Sequence, residues 1–172
     1  PLAGTGRSKV VYSPITAEEA ILNRAEANIH LKNYELALND MNIHVQNNTI
    51  KNPNLLTLAS VNSWADSFLY FEPSSPTPKK KLNADFPIEP GAQENMIHAV
   101  LSLRRLQFLF TGMRWFDVKR YGIEITRREA PAAYGAPLTF TATNNTLTVR
   151  DNRRALQLPQ DVISAGLTSN PR

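Results

Sequence analysis

The sequence predicts a mainly α-helical domain with long loops and a small β-hairpin near the C-terminus. Apolar residues recur at helical intervals in 17–47 and in 93–111, whereas apolar and hydroxyl residues alternate in 138–150. Between the helical segments, the stretch 72–91 contains five prolines, which lack the amide donor that a helix or a central strand needs. The chain has 172 residues and 42% apolar content, which is enough to bury one core.

Composition excludes several classes of protein. The 19 basic and 15 acidic residues give a net charge of +4 and are spread along the chain, so there is no polybasic tail. Cysteine is absent, which excludes disulfides and thiolate metal sites. No apolar run reaches the length of about 18 residues that a membrane-spanning helix needs. The chain starts without Met or a leader peptide, so we expect it to be part of a longer protein.

The first element is a pair of antiparallel helices over 17–47. Thr16 and Glu19 have the spacing of a capping box, which predicts that the first helix starts at Ala17. A second amphipathic helix follows a short link at 32–33, so the two helices form a hairpin. The first helix is expected to turn a polar stripe toward solvent, which consists of Glu19, Asn23, Glu26, His30 and Asn33.

Small residues give this hairpin the spacing of a tetratricopeptide unit. Ala25 in the first helix, and Ala37 with Tyr34 in the second, would let the helices approach closely. A helical solenoid needs about three such units to bury a continuous core, and the sequence contains one. We therefore expect the hairpin to pack on other helices.

A third helix is predicted over 54–71, followed by a long loop over 72–91. The apolar positions of this helix are Leu55, Leu58, Val61, Trp64, Ala65, Phe68 and Leu69. The loop contains the lysine run 79–81, which could attract acidic glycans or phosphate. Three lysines beside prolines more often form a solvated loop tip, and that is the interpretation we favour.

A central helix is predicted over 93–121, with a bend or break at Gly112. Apolar residues that include Phe108, Leu109 and Phe110 cover most of its first part, so we expect neighbours to bury it on most sides. Its polar stripe consists of Glu94, His98, Ser102 and Arg105.

The segment RWFDVKRYG at 114–122 combines aromatic and basic residues, as nucleic-acid contacts do. We favour a structural role, because Trp115, Phe116 and Val118 continue the apolar face of the central helix. The acid of this segment can also pair with a base about one helical turn away; the ions concerned are Asp117, Arg114 and Arg120.

The alternating segment near the C-terminus predicts a tight β-hairpin. Its strands are expected at 138–143 and 146–150, with Asn144 and Asn145 in the turn, because asparagine tolerates the left-handed conformation. The tail is otherwise irregular, apart from a short extended stretch at 156–158 and one helical turn after Pro159.

Three segments occur in the same order as in one known family. They read ILNRAEANIHLKNYELALNDMN, LSLRRLQFLFTGMRWFDVKRYG and ALQLPQDVISAGLTSNP. Together they resemble the C-terminal part of the SusD/RagB family of outer-membrane nutrient-binding lipoproteins. The matching positions are Arg24, Ala25, Glu26, Ala27, Arg104, Arg105, Phe110, Gly112, Arg114, Trp115, Phe116, Asp117, Lys119, Arg120, Leu158, Pro159, Gln160, Asn170 and Pro171. The acids usual in the second motif are replaced here by Leu103, Gln107 and Thr111, so the salt bridges of those acids must be absent or remade.

The resemblance implies a tetratricopeptide-like helical scaffold that binds glycans or peptides without catalysis and presents them to a SusC-like TonB-dependent transporter. It also implies a location at the cell surface, held to the outer membrane by a lipid on a cysteine upstream of this chain. We therefore interpret 1–172 as the C-terminal part of a single SusD-like domain. Its parts are the helical hairpin 17–47, the variable region 54–91, the central helix 93–121, and the hairpin and tail 138–172.

Aromatic residues beside the long loop are the candidates for ligand contact. Trp64, Tyr70 and Phe71 could stack on sugar rings, or they could belong to the core. Arg24 lies at the edge of an apolar stripe and is expected to tie the hairpin to the rest of the scaffold. Structural roles are expected for the motif residues Arg24, Arg105, Arg114, Trp115, Asp117 and Arg120.

The sequence offers no pattern for catalysis or metal binding. The histidines at 30, 44 and 98 lack ligand spacing, and the acids Glu18, Glu19 and Glu26 share one helix as capping or surface groups. We expect no enzymatic activity, cofactor or metal site, and no nucleic-acid partner. The alternative to nutrient binding is a tetratricopeptide-type scaffold that binds a protein or peptide.

Overall fold

Helices dominate the part of the chain that the structure describes, a computed structural model covering residues 15–49, 53–69, 79–129 and 141–171. This confirms the predicted mainly helical class with a small β-hairpin. The helices are α1 (Ala17–His30), α2 (Tyr34–Asn48), α3 (Leu58–Ser67), α4 (Ala92–Gln107), α5 (Met113–Arg120) and α6 (Gln160–Ser164). The strands are β1 (Ile125–Glu129) and β2 (Thr141–Leu147), and a 3-10 helix covers Asn152–Arg154.

The helices α1 and α2 form the predicted hairpin. Thr16 Oγ1 accepts a hydrogen bond from the Glu19 amide at 3.2 Å, which is one of the two bonds of a capping box. Ala25 and Ala37 are fully buried, so the helices approach closely. Arg24 Nε and Nη2 donate to the Asp40 carboxylate at 2.9 and 2.7 Å. The prediction for Arg24 was wrong in its target, because this side chain joins α1 to α2 rather than the hairpin to the rest of the scaffold.

The helix α4 is the centre of the domain and packs against α1, α2 and α3. Its buried apolar residues are Met96, Ile97, Ala99, Val100 and Leu101. It ends at Gln107 because Thr111 Oγ1 donates to the Phe108 carbonyl at 2.8 Å and accepts from the Met113 amide, which closes a turn. The expectation that Leu109 and Phe110 are buried was therefore wrong, since they are 61% and 98% exposed.

The helix α3 is shorter than the predicted span 54–71. A complete capping box between Thr57 and Ser60 starts it at Leu58, and the backbone becomes extended at Phe68. Leu55 and Leu69 lie outside the helix and are 54% and 41% exposed.

The β-hairpin uses different strands from those predicted. The strand β1 pairs antiparallel with β2, and Ile125 lies opposite Leu147. Asn144 and Asn145 lie inside β2, so the expectation that they form the turn was wrong. Sequence reasoning missed β1 because most of its residues are charged or polar and show no apolar alternation. A contact between two hydroxyl groups supports the strand instead, with the oxygens of Thr126 and Thr146 lying 3.1 Å apart.

A buried arginine attaches the hairpin to the helices. Arg154, from the 3-10 helix, donates to the carbonyls of Val118 and Ile123 at 3.1 and 2.7 Å. It also donates to the Thr148 carbonyl at 2.6 Å. Further along, α6 follows Pro159 as predicted, and the backbone N–H of Asn170 donates to Gln157 Oε1 at 2.9 Å. This hydrogen bond joins the beginning of the third family motif to its end.

Candidate functional site

A cleft of about 530 Å³ opens between α1, the end of α5 and the segment 86–87. We call it the polar cleft, and it is lined by Asn23, Glu26, Ala27, His30, Phe86, Pro87 and Arg120. Its lining combines the phenyl ring of Phe86 and the imidazole ring of His30 with amide, carboxylate and guanidinium groups.

Glu26 and Tyr121 form the buried floor of the polar cleft. Glu26 is 4% exposed and Tyr121 is fully buried, and the Tyr121 hydroxyl donates to Glu26 Oε1. Arg120 Nη2 donates to the other carboxylate oxygen at 2.8 Å. Both oxygens of Glu26 are therefore engaged, which corrects the expectation that Glu26 is a capping or surface group.

A second carboxylate extends this network below the cleft. Asp117 is 1% exposed and accepts from Arg104 Nε at 3.1 Å and from Arg120 at 3.3 Å. Arg104 also donates to Asn23 Oδ1, so the network returns to α1. The predicted pairing of Asp117 with Arg120 is present, and the partner that sequence spacing missed is Arg104, 13 residues away.

The network orients the His30 ring on the wall of the cleft. His30 Nε2 lies 3.1 Å from the Tyr121 hydroxyl oxygen. Because that hydroxyl gives its proton to Glu26, the Nε2–H tautomer of His30 can donate to the oxygen. The Phe86 ring meets both His30 and Tyr121 edge to face, with centroids 5.3 and 5.5 Å apart.

Electrostatics keeps the Tyr121 phenol at the floor of the polar cleft in its neutral form. Burial raises the pKa of Tyr121 well above its ordinary value, and Glu26 raises it further, so the phenol stays a neutral donor. Burial alone would lower the pKa of Arg120, but Glu26, Tyr121 and Asp117 together leave it raised. Arg120 thus remains a cation at the cleft, with 44% of its side chain exposed.

Such an arrangement can hold a polar ring between His30, Phe86 and Arg120. The two carboxylates of the network, Glu26 and Asp117, are both buried and bound by arginine. Among the described residues, no group of His, Cys, Asp or Glu could hold a metal ion.

The predicted contact residue Trp64 lies elsewhere, in an apolar groove of about 320 Å³. This Trp64 groove is lined by Met41, Leu56, Ser60, Val61, Trp64, Ala99, Ser102 and Leu103. Trp64 is partly buried and its ring lies 4.8 Å from that of Phe68. Tyr70 and Phe71 lie outside the described residues.

The remaining motif residues surround the core. Arg105 is exposed, and Arg114 is partly buried; both line a narrow cleft beside His98. Trp115 packs partly buried against the core. Phe116 is 63% exposed, so the expectation that it continues the buried face was wrong.

His98 and Lys79 also differ from their predicted surroundings. His98 belongs to the predicted polar stripe of the central helix but is 4% exposed. Lys79 donates to Asn95 Oδ1 at 2.7 Å and lies 3.6 Å from an Asp66 oxygen, so it is tied down rather than placed at a loop tip.

Sequence reasoning did not identify the polar cleft as a site: its lining residues Asn23, Glu26, His30 and Phe86, and its floor residue Tyr121, are not among the predicted contact residues. Glu26 and His30 were assigned to the solvated stripe of α1, because helical periodicity cannot show that another segment covers part of that stripe. Phe86 could have indicated the site, because it is the aromatic residue of the proline-rich segment 72–91.

Comparison with known proteins gives one match. The family model described as the SusD family matches residues 18–165. A search of curated proteins found no match, and a search of solved structures found none. None of the helices in the described ranges is both long enough and apolar enough to cross a membrane.

Proposed function

The chain belongs to the SusD family, and we propose that it binds an oligosaccharide at the cell surface and delivers it unaltered to a SusC-like TonB-dependent transporter. Members of this family generally bind nutrients such as glycans at the cell surface, and they are generally non-catalytic. We further propose that a lipid on a cysteine outside this chain holds the protein to the outer membrane.

The lining of the polar cleft supports binding of sugar within this chain. Saccharides need aromatic faces for their C–H surfaces and paired donors and acceptors for their hydroxyls. Phe86 and His30 supply the rings, Arg120 supplies donors, and Asn23 supplies an amide. Because the buried floor already fixes His30 and Arg120, less conformational entropy is lost when a ligand binds.

The Trp64 groove is the second proposed contact surface. Trp64 offers a larger ring, but the polar side chains of this groove are two serines, Ser60 and Ser102. A hydroxylated ring placed there would lose more hydrogen bonds with water than it regains. We therefore assign the sugar to the polar cleft first, and Tyr70 and Phe71 remain proposed contacts without a described position.

Calorimetric titration of the intact protein with a panel of oligosaccharides tests this function. We expect saturable binding that Phe86→Ala weakens by about tenfold, the loss of roughly one aromatic contact. The matched control, Trp64→Ala, should change affinity less than about twofold. The reverse pattern would move the site to the Trp64 groove, and formation of a cleaved product would contradict the non-catalytic role.

A protein-binding scaffold is the alternative function, and exposed apolar residues on the hairpin favour it. Leu36 and Ile43 are 57% and 37% exposed and lie two turns apart on α2. Silence toward all saccharides, together with retained capture of the transporter, would support this alternative.

A further inference from the structure

We propose that the sugar ligand is an acidic oligosaccharide, bound along a basic track that continues from the polar cleft. This inference rests on the proposed function. The track consists of three clefts in a row, each of which shares a lining residue with the next: the polar cleft and two neighbouring clefts.

Shared residues make the three clefts continuous. The middle cleft, of about 210 Å³, shares Arg120 with the polar cleft and is also lined by Lys119, Asn83, Asp85 and Arg150. The third, the lysine cleft, has a volume of about 320 Å³ and shares Asn83 with the middle cleft. Its other lining residues are Lys80, Lys81, Glu124 and Thr126. A ligand of several rings could therefore follow one surface.

Positive charge predominates on this track because two of its carboxylates already form ion pairs with arginines. Asp85 pairs with Arg150. Asp151, in the middle cleft, pairs with Arg153 at 2.6 Å, and this hydrogen bond keeps the pKa of Asp151 well below its ordinary value.

Lys80, Lys81 and Lys119 supply positive charge against the carboxylate of Glu124, whereas the charge of Arg120 is already paired with buried carboxylates. The net field of the track therefore favours an anion, and a ligand can meet ammonium groups without first displacing a buried ion pair.

Backbone hydrogen bonds hold the track in shape. The Asn83 amide donates to the Tyr121 carbonyl at 2.8 Å, and Asn83 Nδ2 donates to the Gly122 carbonyl at 3.1 Å. Gly122 has φ 55°, and a Cβ there would lie 2.2 Å from the Asn83 oxygen, so glycine is required at this joint. The junction between the middle cleft and the lysine cleft is thus fixed before a ligand arrives.

The carboxylates that lie among the cations of the track favour a saccharide over a nucleic acid. Aromatic rings line the polar cleft at one end of the track, whereas Asp85, Asp151 and Glu124 accompany the cations in the other two clefts. A nucleic acid carries a phosphate at every nucleotide and would place some of them against these acids. An acidic saccharide can alternate carboxylate or sulfate groups with uncharged hydroxyls.

Titrations with charge-matched probes test the inference on the intact protein. The probes are hexagalacturonate, its methyl-esterified neutral form, a chondroitin sulfate hexasaccharide and a single-stranded RNA hexamer. We expect one of the two acidic glycans to bind at least about tenfold more tightly than the neutral form, with affinity falling at high salt. Preference for hexagalacturonate would show that carboxylate groups are sufficient, and preference for chondroitin sulfate, which carries both carboxylate and sulfate groups, would show that sulfate adds to recognition.

Removal of charge locates the binding. The double substitution Lys81→Gln and Lys119→Gln should weaken the acidic glycan by about fivefold to tenfold and leave the neutral form unchanged. The control Arg105→Gln removes an exposed cation that lines none of the three clefts, and it should have no effect.

Three results would overturn the inference: equal binding of acidic and neutral forms, tighter binding of the RNA, or a double variant that binds like the unaltered protein. Equal binding would leave the proposed function intact, whereas failure to bind any saccharide would overturn both.

Discussion

The polar cleft and the Trp64 groove border the same helical core but are held together by different forces. Below the polar cleft, each buried ion depends on a few oppositely charged or polar partners at hydrogen-bond distance, such as Asp117 for Arg104. Around Trp64 the contacts are mostly between carbon atoms and are shared among several side chains. Loss of one buried ion partner leaves an uncompensated charge, whereas loss of apolar contact is roughly proportional to the area removed. A single substitution should therefore lower the free energy of unfolding sharply in the first region, and in proportion to the apolar area removed in the second.

The largest expected effect is that of Asp117→Ala. Arg104 is 4% exposed and would keep its charge without a carboxylate, so we expect a loss of about 3 to 5 kcal/mol in the free energy of unfolding. Denaturant unfolding of the intact protein measures it.

The matched control for Asp117 is Asp40→Ala. Its partner Arg24 has a side chain that is 65% exposed and can turn to water, so the loss in the free energy of unfolding should be much smaller than that of Asp117→Ala. Equal losses at the two positions would mean that burial of the arginine does not decide the effect.

Trp64→Ala should have an intermediate effect. A fully buried tryptophan costs about 3 to 5 kcal/mol when truncated, and because Trp64 is partly buried we expect a loss of about 2 to 3 kcal/mol in the free energy of unfolding. Trp64→Phe should recover about half of the lost stability, as proportional contact area requires. If phenylalanine is as damaging as alanine, the groove depends on one specific contact and the contrast with the polar cleft fails.

Local patterns could predict the helices but not the networks between them. The α1–α2 hairpin follows from its caps and periodicity, which are contained within neighbouring residues. The bond between Tyr121 and Glu26 joins residues 95 positions apart, and nothing in either segment specifies the other. The strand β1 could not be predicted for the same reason, because its partner strand β2 follows only after residues 130–140. The family motifs identify residues of this network, Glu26, Asp117 and Arg120, without indicating who pairs with whom.

A titratable histidine beside the Trp64 groove limits the contrast between the two regions. His98 is 4% exposed and shares a narrow cleft with Trp64 and Arg114. Burial lowers the pKa of His98, the charges of Lys79 and Arg114 lower it further, and a hydrogen bond with the Lys80 backbone acts in the opposite direction. Together these causes bring the pKa of His98 to about 4. The apolar side thus contains a group that must stay neutral.

The pH dependence that His98 produces should be slightly smaller than the effect of Trp64→Ala. The folded state disfavours its proton while the unfolded chain binds one near pH 6.5, so this stability is complete above 6.5 and is lost as pH falls toward 4. We expect a loss of about 2 kcal/mol over that range, measured by denaturant unfolding at a series of pH values. His98→Gln should flatten the slope. Part of the slope should remain, since burial also lowers the pKa of His44. If His98→Gln leaves the dependence of stability on pH unchanged, the folded protein accepts a proton on His98 without loss of stability, which contradicts this prediction.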